Sequence, residues 1–157
     1  MSINDYSGFQ NILELRSVIE NSYFRAFEES IDFPVNLNHT HVRTMIFLKF
    51  QGEKPMSAVS NKLNLEKGSF TPVANHLIEL GYIEKIPDTK DKRVYNLRLL
   101  ASGEKLTNEI IEKHNIFANK MLDNLTADEK KSYFEAIELI NELTVRMQKA
   151  GNHHNFK

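Results

Sequence analysis

Residues 56–80 read Met56-Ser57-Ala58-Val59-Ser60-Asn61-Lys62-Leu63-Asn64-Leu65-Glu66-Lys67-Gly68-Ser69-Phe70-Thr71-Pro72-Val73-Ala74-Asn75-His76-Leu77-Ile78-Glu79-Leu80. Met56, Val59 and Leu63 are spaced as the apolar side of one short helix, and Phe70, Val73, Leu77 and Leu80 as that of a second. Asn64-Leu65-Glu66 leaves room only for a tight turn, so the segment is expected to be a helix-turn-helix. Gly81 stands where a left-handed C′ residue ends the second helix. Ser69 is the expected N-cap, with Pro72 in the first turn, where its missing N–H costs least.

After Gly81 the period changes to two. Tyr82-Ile83-Glu84-Lys85-Ile86 and Tyr95-Asn96-Leu97-Arg98-Leu99 read as two strands joined by a charged loop, Pro87 to Arg93. Upstream, Ile12, Leu15, Ile19, Tyr23 and Phe27 predict a long amphipathic helix from about Asn11 to Ser30. Pro34 ends that stretch, and Asn38 caps a helix running through Val42, Met45, Ile46 and Phe50 until Gly52 and Pro55 break it. Downstream, helices are expected over Ser102–Met121 and Ala127–Lys149, the latter opened by a capping box of Thr126 and Glu129. The fold class is therefore mainly α with a small β-hairpin (α+β), a winged helix-turn-helix with flanking dimerisation helices. Residues 1–157 are expected to form one domain, with the lobe at 37–100 and the dimerisation helices at 8–31 and 102–149.

The composition agrees: 157 residues, 41% hydrophobic and 26% charged, fit an ordinary helix-rich globular chain. No apolar run approaches a membrane span and the N-terminus has no secretory pattern, so the cytoplasm is the expected compartment and no membrane partner is expected. The absence of cysteine excludes disulfides, thiolate metal sites and cysteine nucleophiles. Net charge is −1, yet eight basic residues face five acidic ones between Lys54 and Arg98, against twelve and sixteen in the remainder. A basic middle suits phosphate contact.

In a helix-turn-helix the start of the second helix enters the major groove. Candidate DNA contacts there are Lys67, Ser69, Phe70, Thr71, Pro72, Asn75 and His76, with Asn75 suited to adenine and the hydroxyls to phosphate. Taken alone, Ser69 could be only a cap, and Asn75 and His76 only solvated. The hairpin tip adds Lys90, Asp91, Lys92 and Arg93, three cations on one turn, a form suited to the minor groove. Asp91 is expected to pair with Arg93 and shape the loop.

From Leu37 to Gly103 the chain resembles the MarR family, whose wing and following helix read aspartate, any residue, arginine, then leucine, any residue, leucine, threonine, two residues, glycine. Asp91-Lys92-Arg93 and Leu97-Arg98-Leu99-Leu100-Ala101-Ser102-Gly103 carry the match. The resemblance implies a homodimer on double-stranded DNA, with residues 69–76 as recognition helix, Arg93 in the minor groove, and dimerisation through the first and last two helices. It also implies a small-molecule effector, with His114 as a pocket residue, and no enzyme activity or cofactor. Leu100 replaces the usual threonine, which moves the expected N-cap to Ser102. Pro72 and His76 stand where basic residues are common, which implies thinner phosphate contact.

Two competing readings are a winged-helix protein-interaction or structural dimer and a metal sensor or hydrolase using histidines. His39 and His41 are two apart and face different directions on a helix, so they do not form a ligand pair. His41 is expected to pack or hydrogen-bond at its helix start, and His153-His154 sit in a patternless tail. There is no nucleophile elbow, glycine-rich phosphate loop or paired-carboxylate motif.

Overall fold

Asn38 opens the helix on which the lobe is built. Its side-chain oxygen accepts the His41 N–H at 3.2 Å, and its own N–H donates to His41 Nδ1 at 3.0 Å, a reciprocal cap with histidine in the place usually held by glutamate or glutamine. The computed structural model describes residues 6–31, 33 and 36–151. The order is α1 (Tyr6–Val18), a π-helical stretch (Ile19–Arg25), α2 (Ala26–Ser30), α3 (His39–Gln51), β1 (Lys54–Pro55), α4 (Met56–Lys62), α5 (Lys67–Glu79), β2 (Ile83–Pro87), β3 (Tyr95–Leu99), α6 (Ala101–Leu122) and α7 (Ala127–Gly151). The chain falls into two compact units, 1–114 and 115–157. The expected tail beyond Gly151 lies outside the described residues.

The first unit holds the buried core. Val42, Met45 and Leu48 of α3, Val59 of α4, Phe70, Ala74 and Leu77 of α5, Ile83 and Leu97 of the sheet, and Ile110 of α6 are all buried. The periodicities of the sequence place most of these residues, but Leu48 and Ala74 lie outside the expected stripes and Phe50, expected on the apolar side of α3, is 69% exposed; the mainly helical winged-helix class holds. The sheet has three strands in the order β1-β3-β2, all antiparallel, and not only the hairpin. β1 pairs Lys54 with Leu97 and Pro55 with Asn96. A two-residue strand shows no alternation, and Pro55 is tolerated because β1 is an edge.

Three local expectations need correction. The helix carrying the reading residues begins at Lys67, with Glu66 rather than Ser69 at the cap. Asn64 adopts φ 56° and the Leu65 N–H closes onto the Ser60 carbonyl, so the chain is already aimed into the helix when it reaches Glu66, whose carbonyl accepts from Ser69 and Phe70. Pro72 consequently lies past the first turn, where it removes one helical hydrogen bond. Ser102 does not cap α6, which starts at Ala101. Its hydroxyl donates to the Gly81 carbonyl instead. Finally, the long first helix switches to π-type bonding over Ile19–Arg25, and a π turn shifts the stripe of residues that follows it.

Gly81 and Gly103 are each required where they stand. Gly81, at φ 70°, ends α5 in a Schellman arrangement: its N–H meets the Ile78 carbonyl and the Tyr82 N–H meets the Leu77 carbonyl. Gly103 lets α6 cross the backbone of Tyr82, because a Cβ at 103 would lie 2.1 Å from the Tyr82 carbonyl oxygen. Gly103→Ala is expected to destabilise the lobe by about 1–3 kcal/mol through overpacking against backbone. Chemical denaturation reads this directly, and an unchanged midpoint would show that the crossing is adjustable.

In the second unit, Thr126 and Glu129 form the expected capping box, with Thr126 N–H to Glu129 Oε2 at 2.8 Å and Glu129 N–H to Thr126 Oγ1 at 3.3 Å. The Thr126 backbone N–H, then its hydroxyl, hold the Glu129 carboxyl below the usual carboxylate range.

Candidate nucleic-acid interface

The two faces of α5 divide the candidate residues. Phe70 is only 1% exposed and sits with Ala74 and Leu77 on the inward face, so it is a core residue and is withdrawn from the DNA contacts. The same 3-4-3 spacing that builds the core stripe puts Phe70 on it, and one side chain cannot also reach a groove. Gly68, Ser69, Pro72 and Asn75 are exposed and Thr71 is half-buried at the edge of the stripe. His76 is half-buried and turned back: its Nε2 lies 2.9 Å from the Asn36 carbonyl oxygen, with its ring against His41. That bond spends the ring on the lobe and removes it from the outward face. Lys67 opens the helix, and its side chain lies outside the described ones.

The wing is shaped by two aspartates. Asp91 Oδ1 accepts from the Arg93 N–H at 3.0 Å and Arg93 Nε at 3.2 Å, which is the pairing expected from the sequence. Asp88, which sequence reading passed over, does as much. Its Oδ1 accepts the N–H groups of Lys90 (2.8 Å) and Asp91 (3.1 Å), and its Oδ2 accepts the Asn96 amide at 3.2 Å. The Asp91 and Lys90 N–H groups, then the Asn96 amide, hold the Asp88 carboxyl below its usual range. An aspartate two and three residues before unpaired N–H groups is the local signal of such a turn. Lys90, Lys92 and Arg93 are exposed, and the Arg93 side chain is 92% so. At the base of the wing, Arg98 is gripped by Glu84 at 2.6 Å, which raises its pKa further, and Lys85 lies 4.2 Å above the Tyr95 ring.

Between α4, α5 and the wing runs a cleft of about 740 Å³. Thr71 of α5 and Arg93 of the wing both line it, so the fold brings together residues 22 positions apart that the sequence assigned to two separate grooves. Ser57, Asn61 and Asn64 line the same cleft and were not anticipated, because the polar side of a short helix carries no mark of which groove it faces. No carboxylate pair or base-activated nucleophile is built there. Among the described residues no three His, Asp or Glu side chains converge as metal ligands.

His114 of α6 lies against the π-helical stretch and α2. Its Nε2 is 2.9 Å from Tyr23 Oη, and its ring stands edge-on to Phe27 at 5.0 Å.

Residues 37–95 match the MarR family. The central lobe is similar to that family. Members of the MarR family are transcriptional regulators, not enzymes. The chain is 25% identical over 104 residues to the uncharacterised HTH-type transcriptional regulator YwhA of Bacillus subtilis (strain 168), covering 66% of this chain and 75% of YwhA. In structure, a MarR family protein from Bacillus stearothermophilus superposes with a TM-score of 0.74 at 16% identity, over 92% of this chain and 99% of that one. Streptococcus pneumoniae FabT in complex with DNA superposes with a TM-score of 0.71 at 20% identity, over 88% and 99%. The MarR-type lobe therefore carries its helix-turn-helix at α4–α5 and its wing at β2–β3.

Proposed function

We propose that this protein is a homodimeric, cytoplasmic transcriptional regulator that binds a pseudo-palindromic site in double-stranded DNA, with α5 in the major groove and the wing in the minor groove. The observation that carries the reading is the shared cleft of Thr71 and Arg93, which sets a helix N-terminal region and a cationic loop tip on one side of the lobe. Ser69, Pro72 and Asn75 extend that side along α5, and Lys90 and Lys92 extend it along the wing. The solved complex of FabT with DNA shows that a protein of this fold binds DNA.

Dimerisation is supported by apolar surface. In the first unit Ile12 is 66% exposed, with Leu15 and Val18 also open. In the second, Phe134, Leu139, Ile140 and Met147 are open. A soluble chain does not leave such stripes in water, and a two-fold partner covers them. No helix among the described residues is long and apolar enough to cross a membrane. An aromatic or anionic effector beside Tyr23, Phe27 and His114 fits the ring faces and the imidazole gathered there.

A duplex selected from random sequence and titrated with salt tests the reading. Binding is expected with two chains per site and a linear fall of log affinity with log salt. Thr71→Ala with Asn75→Ala is expected to lose about 1–3 kcal/mol per base-reading contact on the selected duplex and far less on random DNA. Salt-independent association, or no association by a confirmed dimer, favours a protein-interaction role instead.

A further inference from the structure

His41 and His76 meet where the recognition helix leans on the start of α3. Their ring centroids are 5.0 Å apart, tilted by 51°. His41 is 7% exposed and holds the α3 cap through Nδ1, which accepts the Asn38 N–H at 3.0 Å. An imidazole that accepts at Nδ1 is neutral, with its proton on Nε2. His76 Nε2 donates to the Asn36 carbonyl at 2.9 Å and so ties α5 to the segment just before that cap. The His41 tie therefore depends on its protonation state, whereas His76 Nε2–H donates in either state, and the two ties converge on six residues, 36 to 41.

We propose that the His41–His76 pair is a proton-operated latch that fixes α5 on the lobe in the neutral state and releases it when His41 takes up a second ring proton. The proposal deepens the DNA-binding reading by naming a regulation of the recognition helix, and to that extent rests on it. Protonated Nδ1 is a donor, so it faces the Asn38 N–H donor to donor and the reciprocal cap is lost. The added charge also opposes positive charge on His76.

Burial first, and then the charge on His76, lower the His41 pKa from its ordinary 6.5. A histidine with a folded pKa below its unfolded one binds more protons unfolded. Its contribution is fully present above 6.5 and is lost as the pH falls from 6.5 through the folded value. Within that window falling pH moves the equilibrium from the latched toward the released arrangement, by at most about tenfold per pH unit, the limit for one proton. The surrounding charges do not substitute for this pair. On α3, His39 pairs with Glu28 of α2, Arg43 is exposed and Lys49 pairs with Glu104 of α6. Lys62 of α4 and Glu79 of α5 are exposed, and Arg98 of β3 is held by Glu84. His76 is the neighbour whose charge acts on His41.

The test is a titration of full-length protein by heteronuclear NMR from pH 7.5 to 5, following both imidazoles and the α5 amides. His41→Gln keeps an acceptor at the cap but cannot titrate. In the wild type the amides from Ser69 to Leu80 are expected to shift with the His41 midpoint, below 6.5, and in His41→Gln that transition is expected to vanish. Should His41→Gln fold poorly, His76→Gln serves: it is expected to raise the His41 midpoint by removing the opposing charge. α5 amides insensitive to pH in the wild type, or equally sensitive in His41→Gln, overturn the latch, as does an unmoved midpoint in His76→Gln. A selected duplex distinguishes the two layers. Affinity is expected to fall further in the wild type than in His41→Gln between pH 7.5 and 5.5, by up to about tenfold, the limit set by one proton. Equal falls in the two proteins overturn the coupling to DNA. If neither protein binds any duplex at either pH, the DNA-binding reading fails, while the α5 transition still decides the latch.

Discussion

Phe70→Ala is expected to cost about 3–5 kcal/mol of folding stability, as large-to-small changes of fully buried aromatic residues do. The ring is 1% exposed at the start of α5, on the face that carries Ala74 and Leu77. It also closes the inner side of the cleft that Thr71 and Arg93 line. The loss is comparable with the whole stability of a marginal domain, so much of the variant is expected to be unfolded near physiological temperature. Denaturant unfolding checks this: the midpoint falls while the slope holds, which separates lost packing from a changed denatured state. Phe70→Leu, which keeps most of the volume, is expected to recover most of the loss. By contrast Asn75→Ala, exposed on the opposite face of the same helix, is expected to stay within about 0.5 kcal/mol. A Phe70→Ala protein as stable as the wild type but unable to bind DNA would return Phe70 to the reading surface.

Phe70 also shows where the sequence was legible and where it was not. Its place in the 3-4-3 stripe identified the core correctly, whereas its place beside Ser69 and Thr71 suggested a groove contact. The first signal concerns periodicity over a whole helix and the second only adjacency, and burial follows the former. Caps decided by neighbouring residues were readable: Asn38, Gly81, and Thr126 with Glu129 all behave as their local chemistry requires. Ser69 and Ser102 were misjudged because a serine caps only where the chain turns, and distant parts of the fold set those turns. The Leu65 bond to Ser60 aims the chain before Ser69 is reached, and the Gly81 carbonyl captures the Ser102 hydroxyl from 21 residues away. His76 is a similar case. Asn36 lies 40 residues before it, and no pattern near either residue announces the bond between them. The wing was legible in Asp91 and Arg93 because their pairing spans two residues. Asp88 was equally local but was overlooked, since its partners are backbone N–H groups rather than a complementary charge.

Arg93→Ala is expected to weaken DNA binding by about 1–3 kcal/mol per half-site, and by about twice that for a symmetric dimer on two half-sites. The side chain is 92% exposed, so the folding midpoint is expected to move little. Asp91→Ala decides between two accounts of the wing. If the aspartate acts only as charge, removing it near phosphate strengthens binding, because like-charge repulsion is relieved. If it acts as a scaffold, binding weakens, because Arg93 loses the acceptor that fixes both its N–H and its Nε. An exposed ion pair is worth only about 0–1 kcal/mol for folding, so neither account expects a large change in stability. The scaffold account is favoured by geometry: one carboxylate oxygen takes a backbone and a side-chain donor of the same residue, and the Asp91 carbonyl accepts the Val94 N–H at 2.8 Å. Weaker binding by Asp91→Ala is therefore the expected result, measured on the selected duplex at fixed salt. Asp91→Asn keeps an acceptor without the charge and is expected to lie between Asp91→Ala and the wild type. Tighter binding by either variant would make Asp91 a repulsive surface charge, and Arg93 would then have to find the groove without a held loop.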